Sequence, residues 1–128
     1  MNDLIIDPTR CTPGVRFYFS KHQLEISGES YPENTSEFYG PVFDQLKTYF
    51  SGLGEQAVTL TIHLRYFNSS SSKIFINLFD FLEEWAEKGR NITVNWLYGA
   101  GDVDARELGE ELSDDLESVA FRLVCADH

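Results

Sequence analysis

Basic side chains are scarce in this sequence. Ten Lys and Arg stand against 21 Asp and Glu, a formal net charge of -11 over 128 residues, with a pI near 4.5. Binding along a nucleic-acid backbone needs clustered Lys and Arg, so that class is excluded, and docking on anionic lipid falls on the same ground. Cysteine is nearly lacking: Cys11 and Cys125 are too few for a disulfide framework and form no Cys-x-x-Cys pair. The histidines His22, His63 and His128 share no metal-ligand spacing, so no metal and no cofactor are expected. No apolar run reaches membrane-spanning length, and residues 1–7 have neither the basic start nor the apolar core of a signal peptide. A cytoplasmic location is expected, with protein as the partner class.

Aromatic residues are plentiful. Ten Phe, six Tyr and two Trp sit within a 42% hydrophobic composition, enough for one domain over residues 1–128 with a core of its own. Residues 4–6 read as a short strand and Pro8, Pro13 and Gly14 as a turn region. Residues 15–19 and 24–26 alternate around Lys21-His22 and predict a hairpin. Tyr31-Pro32-Glu33-Asn34 then leads into a helix with Phe38, Val42, Leu46, Tyr49 and Phe50 on its apolar side. Asn34 and Glu37 stand at capping-box spacing, Pro41 predicts a kink or a later start, and Gly52 and Gly54 close the helix.

The second half alternates strand 58–66, helix 71–88, strand 91–98, helix 103–116 and strand 121–125. That order implies right-handed crossovers and a largely parallel core. Val58, Leu60, Ile62 and Leu64 alternate with Thr59, Thr61, His63 and Arg65, and Ile92, Val94 and Trp96 with Thr93 and Asn95. Strands covered on both faces are apolar throughout. These are not, so the helices are expected mainly on one face, leaving Thr59, Thr61, Thr93 and Asn95 in solvent. A doubly wound nucleotide-binding domain is disfavoured.

No residue set reads as a catalytic centre. Glu107, Glu110, Glu111, Asp114 and Asp115 lie opposite Ala105, Leu108, Leu112 and Leu116 on one helix and read as a solvated face. Gly99-Ala100-Gly101-Asp102 lacks the third glycine of a dinucleotide fingerprint and the Lys of a P-loop; a tight turn with Asp102 as N-cap fits better. A non-enzymatic protein is expected. In the middle helix Ile74, Phe75, Leu78, Phe79, Leu82, Trp85 and Ala86 form the core stripe, with Phe81 at its border. Ile76 falls on the outward side with Asp80, Glu83 and Glu87, a hint of a protein-contact surface.

Asn68-Ser69-Ser70-Ser71-Ser72 stands at the entrance to that helix. A helix start leaves N–H groups unpaired and carries partial positive charge. One use of the serines is to cap it; another is to meet or carry a phosphate.

The one-sided strand–helix order and the serine-led second helix resemble the STAS-type fold of anti-sigma-factor antagonists. The segments 30–34 (Ser-Tyr-Pro-Glu-Asn), 66–73 (Tyr-Phe-Asn-Ser-Ser-Ser-Ser-Lys), 78–84 and 107–111 look more closely like the SiaC family of bacterial regulatory phosphoproteins, a likeness covering roughly residues 3–125. The resemblance implies an α/β, STAS-like (SpoIIAA-like) domain with a mixed sheet. It also implies a phosphorylation-controlled switch: a cognate Ser/Thr kinase adds a phosphate, a PP2C-type phosphatase removes it, and the unmodified form binds and activates a diguanylate cyclase in c-di-GMP signalling. The family's modified Thr directly follows the loop Asn, which places Ser69 at that position, with Ser70 and Ser71 as further candidates. The expected partner-binding set is Asn68, Ser69, Ser70, Ser71, Lys73 and Ile76. An antagonist in an anti-sigma partner switch is the alternative.

Overall fold

A computed structural model describes residues 1–126. Six strands form one sheet in chain order: β1 (Leu4–Ile6), β2 (Gly14–Tyr18), β3 (Gln23–Ser30), β4 (Ala57–Phe67), β5 (Asn91–Gly99) and β6 (Ala120–Ala126). β1, β2 and β3 are antiparallel neighbours, whereas β3 to β6 run parallel. Three helices make the parallel crossovers: α1 (Thr35–Ser51), α2 (Ser69–Glu87) and α3 (Val103–Ser113). Each crossover steps one strand in the same direction, and right-handed crossovers taken that way put all three helices on one face.

Burial follows that arrangement. Leu24, Ile26, Leu60, Ile62, Val94 and Trp96 are buried beneath the helices, while their neighbours Glu25, Thr61 and Asn95 face the other way. The one-sided arrangement expected from strand alternation is the one observed, and the sheet is mixed as the family resemblance implied. Its open face is less wet than expected, however. Thr59, Thr61, Thr93 and Asn95 are only half exposed, because Thr59 pairs in register with Thr93 and Thr61 with Asn95, and each shields its cross-strand neighbour. Asn95 Oδ1 has no hydrogen-bond partner there.

Trp96 organises the core between α2 and α3. It meets Phe75 and Phe79 edge to face, with ring centroids 6.1 and 6.0 Å away, and its indole N–H donates to the Ala105 carbonyl at 2.9 Å. Gly109 permits that approach: a Cβ there would lie 2.6 Å from Trp96 Cδ1.

Several elements depart from the sequence expectation. The β2–β3 hairpin turns through a 3-10 segment, Phe19–Lys21, and His22 in the left-handed region at φ 56°. α1 continues through Pro41 from a start at Thr35, with Asn34 accepting from the Glu37 N–H. α2 begins at Ser69 rather than residue 71, because Asn68 is the cap. α3 ends at Ser113, short of Leu116. Glu110, Glu111, Asp114 and Asp115 crowd its negative end, where further carboxylates oppose the helix dipole.

Glu83 is the clearest correction. Expected outward, it is buried. Its carboxylate accepts from the Ser118 N–H at 3.0 Å and the Val119 N–H at 3.0 Å. Burial alone pushes its pKa up, but the N–H groups of Val119, Ser118 and Glu117 outweigh that and hold it below the ordinary value.

Candidate functional site at the start of the second helix

The parallel strands β3 and β4 end side by side, and the chain leaving β4 turns straight into α2. Asn68 makes the turn. Its backbone N–H donates to the Ser30 carbonyl at 3.1 Å, and its Oδ1 accepts from the Ser71 N–H at 2.9 Å. Its own carbonyl accepts from the Ser72 N–H at 3.0 Å. Asn68 thus caps the helix without help from the serines, and the N–H groups of Ser69 and Ser70 are left to solvent.

The four serines do not share one environment. Ser69 and Ser70 are exposed. Ser72 is half-buried and donates its hydroxyl to the Ser69 carbonyl at 2.8 Å. Ser71 has an accessibility of 0%, with its Oγ 2.8 Å from Ser30 Oγ, which in turn lies 2.5 Å from Tyr39 Oη. Ser71 was expected among the accessible residues of the loop; it is instead turned inward beneath the Asn68 cap. Burial raises the Tyr39 pKa to about 12, against a smaller opposing effect of the Ser30 hydroxyl, so Tyr39 is a neutral phenol at physiological pH.

Outward from Ser69, a stripe at helical spacing carries Lys73, Ile76 and Asp80, all exposed. Ile76 is 39% exposed. Beside the stripe the acidic face of α3 approaches: Asp104, Glu107 and Glu111 line a shallow cleft of about 260 Å³ with Phe67 and Ser72. At the loop's other flank Tyr66, 52% exposed, meets Tyr31 edge to face at 5.3 Å. The patch combines neutral hydroxyls, one cation, one aliphatic side chain and two tyrosines, with an acidic border. Sequence reasoning placed Asn68, Ser69, Ser70, Lys73 and Ile76 here and missed Ser30, Tyr39 and Tyr66. Ser30 was detectable, since it continues the inward alternation of Leu24, Ile26 and Gly28.

Elsewhere the residues offer less. His22 Nδ1 lies 2.6 Å from Tyr49 Oη beside a cleft also lined by Met1, Phe19 and Leu53. His63 is half-buried on the open sheet face; His128 lies outside the described residues. Among the described residues no group of three His, Cys, Asp or Glu is placed to hold a metal ion, and no helix is long and apolar enough to cross a membrane.

A capped helix with solvent-facing hydroxyls thus stands beside a small surface patch of mixed character on a one-sided α/β sheet. Residues 6–126 match the SiaC family of regulatory phosphoproteins, and the chain belongs to that family. It is 34% identical over 115 residues to a Pseudomonas aeruginosa (strain UCBPP-PA14) protein described as uncharacterized, covering 90% of each chain. It superposes on the structure of SiaC of Pseudomonas aeruginosa with a TM-score of 0.89 at 32% identity, covering 98% of this chain and 100% of the other. The same TM-score of 0.89, at 32% identity with 97% and 100% covered, holds for a crystal structure of the diguanylate cyclase SiaD in complex with its activator SiaC.

Proposed function

We propose that this chain is a non-enzymatic, phosphorylation-controlled protein-binding switch acting as one domain over residues 1–128 in the cytoplasm. In its unmodified form it binds and activates a diguanylate cyclase. A cognate Ser/Thr kinase adds phosphate to Ser69 and a PP2C-type phosphatase removes it. Asn68, Ser70, Lys73 and Ile76 complete the partner-binding surface. The observation that carries this reading is the exposed hydroxyl of Ser69 at the first position of α2, left unused by a cap that Asn68 already makes. The complex of SiaC with a diguanylate cyclase supports a cyclase as partner over an anti-sigma factor.

Phosphate on Ser69 would bring about -1.5 to -2 charge at neutral pH. The unpaired N–H groups of Ser69 and Ser70 favour that charge, so the fold tolerates it. A partner surface shaped to a neutral hydroxyl would meet a hydrated dianion and lose affinity. The experiment is binding to a purified diguanylate cyclase, with cyclic dinucleotide production as the second readout. Wild type and Ser69→Ala should bind and stimulate, while Ser69→Asp and the phosphorylated chain should bind at least about tenfold more weakly. Equal stimulation by all four forms would refute the switch.

A further inference from the structure

Four consecutive hydroxyls, Ser69 to Ser72, are chemically alike, yet the fold sorts them. Helical spacing turns Ser71 inward with Phe75 and Leu78, and Ser30, the last residue of β3, meets it there. The Ser30 carbonyl accepts from the Asn68 N–H at 3.1 Å, and the Ser30 hydroxyl stands between Ser71 Oγ at 2.8 Å and Tyr39 Oη at 2.5 Å. Ser30 and Ser71 have 0% and Tyr39 2% of their surface accessible. β3, α1, the cap and the first turn of α2 therefore meet at one buried point. A hydroxyl gives one proton and accepts at its oxygen, so the two contacts leave each of the three buried oxygens with at least one partner. Deleting the Ser30 hydroxyl leaves both neighbours without that partner, and deleting either end removes one of the two that Ser30 has.

We propose that the buried Tyr39–Ser30–Ser71 hydroxyl chain determines the specificity of the switch, locking the first turn of α2 so that a kinase is offered Ser69 and Ser70 and is refused Ser71. This rests on the phosphorylation reading above. Phosphoryl transfer forms a bond from the serine oxygen to the γ-phosphorus of ATP and breaks the bond to the β,γ-bridging oxygen. ADP leaves, and the serine proton passes to a base of the kinase. The acceptor oxygen has to reach the phosphorus in line with the leaving oxygen. Ser69 and Ser70 are exposed on the folded surface and open to that approach. Ser71 becomes so only after the turn unwinds, which breaks its bond to Ser30 and the Asn68 Oδ1 contact to its N–H together. Local opening of the turn is the quantity the hydroxyl chain controls. Ser30 and Tyr39 are thus positioning residues, acting through Ser71 on a modification they do not touch.

The test uses the full chain as wild type, Tyr39→Phe, Ser30→Ala and Leu53→Ala. Leu53, buried at the far end of the sheet where α1 gives way to β4, controls for general loss of stability. Tyr39→Phe keeps the ring and removes only the hydroxyl, so it serves if Ser30→Ala fails to fold. Amide exchange followed by mass spectrometry should show the Ser71 and Ser72 N–H groups opening about tenfold faster in the hydroxyl variants than in Leu53→Ala. After incubation with ATP and the cognate kinase, fragment-ion mapping should place phosphate on Ser69 or Ser70 in wild type and additionally on Ser71 in the variants. Exchange no faster than in Leu53→Ala, or phosphate confined to Ser69 and Ser70 in every form, would overturn the lock while leaving the switch standing. Phosphate nowhere in the loop of wild type would overturn the switch and the lock with it.

Discussion

α2 and α3 start with the same device and serve different ends. Asn68 Oδ1 accepts from the Ser71 N–H at 2.9 Å, and Asp102 Oδ1 accepts from the Ala105 N–H at 3.1 Å. Each cap reaches the third residue of its helix, as caps do. Beyond that the two diverge. α3 follows its cap with Asp104, a carboxylate already placed on the positive end, whereas the first turn of α2 carries no acidic residue at all. α3 is also fixed along its length: Gly109 lies against Trp96, and the chain leaving the helix is held by Glu83. The two caps narrow what the serine run is for. Since α3 is capped without a single serine, capping alone does not require the hydroxyls of Ser69 and Ser70. One helix start is electrostatically complete, and the other is open to an arriving negative charge.

The largest expected effect is on the fixed helix. Gly109→Ala would place its Cβ 2.6 Å from Trp96 Cδ1 and 2.7 Å from Leu123 Cδ1, so α3 has to lift from the sheet. Overpacking of this kind costs about 1–3 kcal/mol, measurable as a lower midpoint in urea. An unchanged midpoint would mean that α3 is not held as closely as its contacts indicate.

Glu83 sharpens the contrast at the other end of α3. Its folded pKa is depressed, so ionised Glu83 contributes stability that is complete above its unfolded pKa. That contribution is lost as pH falls through the folded value. Glu83→Gln, which points an amide at N–H groups that need acceptors, should cost about 1–3 kcal/mol at neutral pH. It should also flatten the loss of stability below roughly pH 5. Urea midpoints measured from pH 3 to 7 check this; parallel wild-type and Gln curves would remove Glu83 from the acid response.

These residues also mark where sequence reading works. The period-two alternation of Val58 to Arg65 and of Ile92 to Trp96 reveals a one-sided sheet, because both faces of a strand are written in consecutive residues. Periodicity misplaced Glu83 for the same reason: an angle around one helix cannot see the loop at Ser118 and Val119, more than thirty residues later, that folds over it. At the site, Asn68-Ser69 was legible as a segment. That Ser71 is buried while Ser70 is exposed follows from helical spacing, since Ser71 stands four residues before Phe75 and seven before Leu78 on the core stripe. Its hydrogen-bond partners Ser30 and Tyr39, distant in sequence, were not legible.

Removing the shared device should affect both helices alike. Asn68→Ala and Asp102→Ala each strip one acceptor from a first-turn N–H, and each should cost about 1 kcal/mol. A loss at Asn68 several times that at Asp102 would show that the cap of α2 also supports the hydroxyl chain beneath it, and thermal melts of the two variants side by side would reveal it.

The smallest expected effect is the most discriminating. Ser69→Asp puts a carboxylate at the first position of α2, where the dipole favours it by about 0.3–1 kcal/mol at low ionic strength. The chain's net charge of -11 works weakly the other way, since added negative charge increases self-repulsion. The local effect wins because it acts within one turn of the exposed N–H groups, whereas the diffuse repulsion is screened within about 10 Å at 0.1 M salt. The melting temperature should therefore stay level or rise by roughly 1–4 °C, with the gain fading as salt is added. Asp104→Ser should do the reverse on α3. The variant expected to release its partner is thus expected to fold at least as well as wild type. A clear fall in its melting temperature would mean that the Ser69 hydroxyl supports the fold, and weakened partner binding by Ser69→Asp would then report damage rather than switching.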